Sequence, residues 1–307
     1  MAPDAPPRHL ALVGTTASGK SALALDVARC HRDIELVSVD SMGVYRGMDI
    51  GTAKPTAAEQ AEVSHHLIDL AEPTEEFTLS RYRDAFDEAL AGIEGRGHRA
   101  LLVGGTALYL RTVVDNLAIP GRYPETRAEL EERPETAELY AWLARLDPLA
   151  AGRMQPTNRR RVLRALEVTL GSGRPFSSYG PGPEAHPPTR FDLVGIPLPR
   201  EVVAERIVAR YRQQLEAGFL DEVRRLTELA LPLSRPPAHA LGFAELLGHL
   251  AGRTSLEEAV DLAVRRTRRF ARRQRGWFHR DPRLTWFEST HDPADALPAL
   301  LDRWSER

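Results

Sequence analysis

Hydrophobic residues follow two alternating rhythms along this chain. Continuous apolar runs, "HLALV" at 9–13, "IELVSV" at 34–39 and "RALLV" at 99–103, lack helical spacing and stop at Gly14, Asp40 and Gly104. Such runs, closed by residues suited to turns, predict buried strands. Between the second and third, Leu79, Tyr82, Phe86, Leu90 and Ile93 recur at intervals of three or four and predict an amphipathic helix. Strands alternating with helices define the α/β class, a parallel sheet with helices on both faces, whose ligands bind beyond the carboxyl ends of the strands. Gly14, Asp40 and Gly104 are therefore expected to converge on one site.

The alternation lapses near Asn116. From "IPGRYP" at 119–124 to the Pro/Gly-rich "RPFSSYGPGPEAHPPT" at 174–189, patterns such as "TAELYAWLARL" are helical and no strand is evident; "RFDLVGIPL" then returns to the sheet. The expected organisation is a core from 1–116 and 190–307, interrupted by a small helical insertion domain at 117–189. The "RRVLRALEV" helix fits either body. The C-terminal third reads as helical, its longest helix opening at Thr254 and Glu257, spaced as a capping box, and running to Phe278. The Pro-rich start, "MAPDAPPRHL", reads as frayed.

With 307 residues and 42% hydrophobic content, the chain can bury one main core and an accessory one. A net charge of −2 does not mark a nucleic-acid binder, but one basic surface is enough to grip a polyanion. Basic residues crowd 159–164 and 265–283, where nine arginines face one acid, Asp281, and repel one another unless phosphate or distant acids answer them. Only Lys20 and Lys54 are lysine; 39 of the 41 basic residues are arginine, so a lysine inside a motif is not filler. Cys30, the sole cysteine, excludes an internal disulfide or a thiolate metal cage and reads as a small buried apolar residue. No run of 18 uncharged apolar residues occurs, so no membrane span is expected and the cytoplasm is the expected compartment. His65 and His66 lack metal-binding companions at a recognisable spacing and read as structural or cavity-lining.

Gly14-Thr15-Thr16-Ala17-Ser18-Gly19-Lys20-Ser21 fits G-x-x-x-x-G-K-[ST] between a predicted strand and a predicted helix. Its glycines let backbone N–H groups curl around a diphosphate, the helix start adds a positive dipole end, Lys20 supplies a cation and the Ser21 hydroxyl can hold Mg²⁺. Gripping a diphosphate is not the same as turning it over. On physical grounds Asp40 has three roles open to it: metal helper, general base, or cap of the following turn. The third strand ends in Gly104-Gly105-Thr106.

"TTASGKSALA", "VSVDSMGVYRGMDIGTAKP", "HHLIDL", "LLVGGTALYL", "PTNRRRVLRALEV", "AGFLDEVRRL" and "ALGFAELL" occur in an order and spacing that resemble the bacterial tRNA dimethylallyltransferases, from about residue 10 to 280. The resemblance implies a P-loop NTPase-like fold whose loop holds the diphosphate of dimethylallyl diphosphate, not a nucleotide. The prenyl group would pass to the exocyclic N6 amine of the adenosine 3′ of the anticodon, in tRNAs reading codons that begin with U. It assigns Asp40 as general base, Thr106 beside the reacting amine or diphosphate, and Lys20, Arg224 and Mg²⁺ on Ser21 to the leaving group. It assigns the tRNA anticodon stem-loop to Asp40, Ser41, Met42 and Gly43, to Arg127, and to Arg160, Arg161, Val162, Leu163 and Arg164. Phe270, Trp277 and Phe278 are expected as core anchors, and a monomer as the state in solution. The chain departs from many relatives at Gly43, where they carry Gln, and at Asn158, where they carry Asp; the insertion is also short. The rival readings are a P-loop small-molecule kinase, an adenylate prenyltransferase and a nucleotide-dependent RNA-binding protein.

Overall fold

The computed structural model describes residues 9–182, 185–287, 289 and 292–305. The Pro-rich start, 1–8, and residues 183–184 of the Pro/Gly-rich segment lie outside the described residues. Each apolar run is a strand. In chain order come β1 (His9–Val13), α1 (Lys20–Cys30), β2 (Ile34–Val39), α2 (Ala57–Glu62), β3 (His65–His66), α3 (Leu79–Gly95), β4 (Arg99–Gly104) and α4 (Ala107–Val114). The middle of the chain supplies α5 (Pro124–Glu131), α6 (Thr136–Leu146), α7 (Pro148–Gly152) and α8 (Arg159–Ser172). The remainder forms β5 (Phe191–Gly195), α9 (Arg200–Glu216), α10 (Phe219–Thr227), α11 (Arg235–Ala238), α12 (Phe243–Leu250), α13 (Leu256–Phe278), β6 (Thr285–Trp286) and α14 (Leu297–Ser305). The described residues within 1–114 and 189–307 make one compact unit and those within 115–188 a second.

In the first unit the strands lie in the order β3-β2-β4-β1-β5-β6, every neighbouring pair parallel. Alternate strand residues feed two cores, as a sheet covered on both faces requires. Leu10 and Leu12 of β1 pack with Leu23, Ala24 and Val27 of α1 and with Leu300 and Trp304 of α14. Ala11 and Val13 face the larger core, which holds Tyr82, Phe86, Leu90 and Ile93 of α3 together with Phe219, Phe243 and Ala271. The helical stripe read from the sequence is thus the buried face of α3. Cys30 corrects the expectation placed on it: it is exposed at the last position of α1, off the Leu23, Ala24, Val27, Ala28 stripe.

Helix α13 starts one residue later than expected. Ser255 Oγ accepts the Glu258 N–H at 3.1 Å and the Glu258 carboxylate accepts the Ser255 N–H at 2.8 Å, so Ser255 and Glu258, not Thr254 and Glu257, form the capping box. In the second unit, Val162, Leu163, Ala165 and Leu166 of α8 close a small core with Leu130, Leu139 and Leu143, which places the "RRVLRALEV" helix in this body. Asn158 caps α8, its Oδ1 accepting the Arg161 N–H, a bond that Asp would make equally well.

Glu35 is a buried charge at the start of β2. Burial pushes its carboxyl up, but hydrogen bonds from Arg96, His66 and His98 outweigh this and hold it at about 2, below its ordinary 4.5. The stabilisation is therefore present above about pH 4.5 and is lost as pH falls towards 2. Glu35→Ala is expected to cost about 2 kcal/mol, less than a fully buried pair because its partners can rehydrate. Urea unfolding of both proteins at neutral pH checks this; equal midpoints would count against it.

Candidate active site

The P-loop leaves β1 at the carboxyl edge of the sheet, between β4 and β5. Two residues take left-handed backbone to make the curl, Ala17 at φ 60° and Gly19 at φ 81°. Gly19 is also closely covered: a Cβ there would lie 2.3 Å from Pro293 Cγ. Lys20 opens α1 and its Nζ donates to the Thr15 carbonyl at 3.1 Å.

Beside this loop lies a cavity of about 690 Å³, lined by Thr16, Ala17, Gly19, Lys20 and Ser21 of the loop and by Asp40, Ser41, Met42, Gly43 and Thr106. The strand ends at the P-loop, Asp40 and Gly104 thus converge on one site. Gly14 and Thr15 border a neighbouring cavity of about 320 Å³, and Ser18 is buried. Asp40 Oδ1 accepts the N–H groups of Met42 at 2.7 Å and Gly43 at 3.3 Å. It therefore caps its own turn, and this cap fixes the carboxylate with Oδ2 as its other acceptor. The Thr106 hydroxyl accepts the Ser41 N–H at 3.3 Å, tying the end of β4 to the same turn.

Arg224 does not reach the cavity. It stands exposed on α10 and pairs with Asp221 at 2.5 Å, which corrects the role given to it. An arginine bonded to the P-loop is Arg210, on α9: its Nη1 donates to Thr16 Oγ1 at 3.1 Å and its Nη2 to the Gly51 carbonyl at 3.3 Å. From α10 it is Glu222 that turns inward, accepting the N–H groups of Asp49, Ile50 and Gly51 at 2.7 to 3.0 Å. Gln214 donates to the Ile50 and Gly51 carbonyls, and the buried Lys54 ammonium pairs with Asp49 and Asp69. The "MDIGTAKP" segment is held from both sides by these groups. The scarcity of lysine and its place in the "GTAKP" motif are the signals that flag Lys54 in the sequence.

Lys20 is a strongly perturbed cation here. Burial pushes its ammonium down from 10.5 to about 8; nearby Asp40 opposes this and Arg210 adds to it. Because the amine loses its proton as pH rises through about 8, anion binding should weaken above that pH by up to about tenfold per unit. Calorimetric titration with Mg²⁺ and pyrophosphate across this range checks it; constant affinity would contradict it.

The second unit holds the other predicted contacts. Arg160 and Arg161 are exposed. Val162 and Leu163 are buried in its core, so their side chains cannot touch a partner, a correction that follows from the 3.6-residue period of α8. Arg164 is engaged with Glu167 and the Pro120 carbonyl, and Arg127 pairs with Glu131 and Glu167. Phe278 is a core residue, whereas Phe270 lines the cavity with Arg273 over its ring and Trp277 is half-buried with Arg111 over its ring. His66 pairs with Glu35 and His65 Nδ1 lies 2.7 Å from the Val63 carbonyl; among the described residues no group of three or more His, Cys, Asp or Glu could hold a metal ion. No helix among them is long and apolar enough to cross a membrane.

A parallel sheet with this loop at the end of its central strand, and a carboxylate at the end of another, makes the molecule a P-loop α/β protein. A family model described as IPP transferase matches residues 43–281. The chain is 45% identical over 302 residues to a tRNA dimethylallyltransferase of Roseiflexus castenholzii, covering 96% of this chain and 95% of that one. It is 43% identical over 306 residues to that of Streptomyces coelicolor, covering 98% and 96%. The crystal structure of the full-length tRNA isopentenylpyrophosphate transferase from Bacillus halodurans superposes with a TM-score of 0.70 at 35% identity, over 96% of this chain and 95% of that one. A eukaryotic dimethylallyltransferase acting on tRNA gives a TM-score of 0.77 at 25% identity, over 94% and 75%. The chain belongs to the IPP transferase family.

Proposed function

We propose that the protein is a tRNA dimethylallyltransferase, moving the prenyl group of dimethylallyl diphosphate to the N6 amine of the adenosine 3′ of the anticodon, in tRNAs that read codons beginning with U. One observation carries the reading: a single cavity is lined by the P-loop with Lys20 and Arg210 and also by the Asp40 turn with Thr106. The first group suits a diphosphate leaving from an allylic carbon, because neutralising the departing charge lowers the barrier to breaking the C–O bond. The second suits the incoming amine, whose lone pair is delocalised into the adenine ring. Asp40 Oδ2 accepts the proton that N6 sheds as the C–N bond forms, while Oδ1 stays fixed by the Met42 and Gly43 amides.

Magnesium fits this donor set. Ser21 stands at the cavity wall in the first turn of α1, an oxygen ligand of the kind Mg²⁺ takes together with phosphate oxygens and water. Bound there, the ion would supply further neutralisation of the diphosphate. The target base must leave its stack to enter the cavity, and the exposed Arg160 and Arg161 of the second unit are suited to tRNA phosphates. We read the enzyme as acting in the cytoplasm, as a monomer.

The test combines purified protein, Mg²⁺, labelled dimethylallyl diphosphate and unmodified tRNA. Label entering tRNA at the adenosine next to the anticodon is the expected outcome. Absence of labelled tRNA, with ADP formed when ATP and a small hydroxyl acceptor are supplied in a parallel reaction, would favour a kinase and overturn the reading.

A further inference from the structure

Gln274 lies on α13, 258 residues from the loop it touches, and is 6% exposed. Its Oε1 accepts the Thr16 N–H at 2.9 Å and its Nε2 donates to the Gly105 carbonyl at 2.8 Å. Only one orientation of the carboxamide satisfies both bonds, since an N–H needs an acceptor and a carbonyl needs a donor. The contact is close: a Cβ on Gly105 would lie 2.4 Å from Gln274 Nε2, so glycine at this position is what admits the carboxamide. Two consequences follow. The Thr16 amide is engaged by Gln274, so the cradle is shaped by a residue outside it. The other bond fixes the residue immediately before Thr106, whose hydroxyl holds the Ser41 amide next to Asp40.

We infer that Gln274 is a positioning residue that sets the distance between the diphosphate cradle and the Asp40–Thr106 ledge, and therefore between leaving group and attacking amine. Its side chain borders the cavity, but both of its polar atoms are committed to Thr16 and Gly105, so it acts through them in this reading, which rests on the function proposed above. Displacements of about 1 Å between reacting groups can cost about a hundredfold in rate, whereas each substrate can still bind its own half of the site.

The test is Gln274→Met, which keeps the length of the side chain and removes both hydrogen bonds. Single-turnover transfer is expected to fall about 10- to 100-fold, with affinity for Mg²⁺-pyrophosphate and for tRNA held within about threefold. An unchanged transfer rate would overturn the inference. So would a loss of pyrophosphate affinity in step with rate, because that marks a scaffold for the cradle alone. Should the Met variant fail to fold, Gln274→Glu decides: it keeps an acceptor for Thr16 but sets a carboxylate oxygen against the Gly105 carbonyl. Transfer should fall in this variant too, and wild-type transfer would again refute the role. Absence of transfer by the unsubstituted protein overturns the functional reading and this inference together, so that control separates the two failures.

Discussion

Asp40→Asn lowers the single-turnover rate of prenyl transfer by about 10²- to 10⁴-fold, the range spanned by loss of a positioned general base. Asparagine is the informative replacement. Its Oδ1 can still accept the Met42 and Gly43 amides, so the turn stays closed, while its NH₂ cannot take a proton from the adenine amine. Affinity for tRNA should stay close to that of the wild type, as should thermal stability. Alanine would remove the cap as well and mix two effects. Rapid-quench transfer measured beside filter binding of tRNA separates them; parallel loss of binding and rate in the Asn variant would make Asp40 a structural residue.

The second large effect belongs to Arg210. Its guanidinium is held between Thr16 and the Gly51 carbonyl, and burial pushes its pKa below the ordinary arginine value, so removing it deletes a pre-oriented cation from the leaving-group side. Arg210→Met is expected to lower transfer about a hundredfold or more, as loss of one oriented charge stabiliser does. Arg210→Lys should recover little of it, because an ammonium cannot span both acceptors in the planar fork that arginine offers. Arg224→Ala supplies the contrast: an exposed arginine paired with Asp221 contributes about 0 to 1 kcal/mol to stability and nothing to the cavity. Equal losses in the 210 and 224 variants would place the leaving-group cation elsewhere.

These two arginines show where the sequence stops being legible. Both lie in helical patterns rich in charge, and period alone cannot say which turns towards a ligand when α9 and α10 meet the sheet. The strands, the P-loop and the meeting of Asp40 and Gly104 with that loop could be read because each is a local pattern with a local cause; Gly14 itself borders the neighbouring cavity. The edge strands β3 and β6 could not, being two residues each and too short to show a rhythm. Gln274 and Glu222 carry no local signal at all: their hydrogen bonds run to the P-loop and to residues 49–51, and only the folded chain brings them there. Within α8 a contiguous motif does not map onto a contiguous surface, because the side chains of Val162 and Leu163 face inward while Arg160 and Arg161 are exposed.

Lysine's near-absence has a practical chemical consequence. Lys54 is sealed at 3% side-chain exposure between two carboxylates, which leaves Lys20 as the ε-amine facing an open space, with its proton held at only about 8. Acylating reagents selective for amines should therefore find their side-chain target inside the donor pocket, while the guanidinium-covered exterior stays inert to them. Inactivation by such a reagent, slowed by pyrophosphate, would turn an ordinary bioconjugation handle into a titrant of the empty pocket.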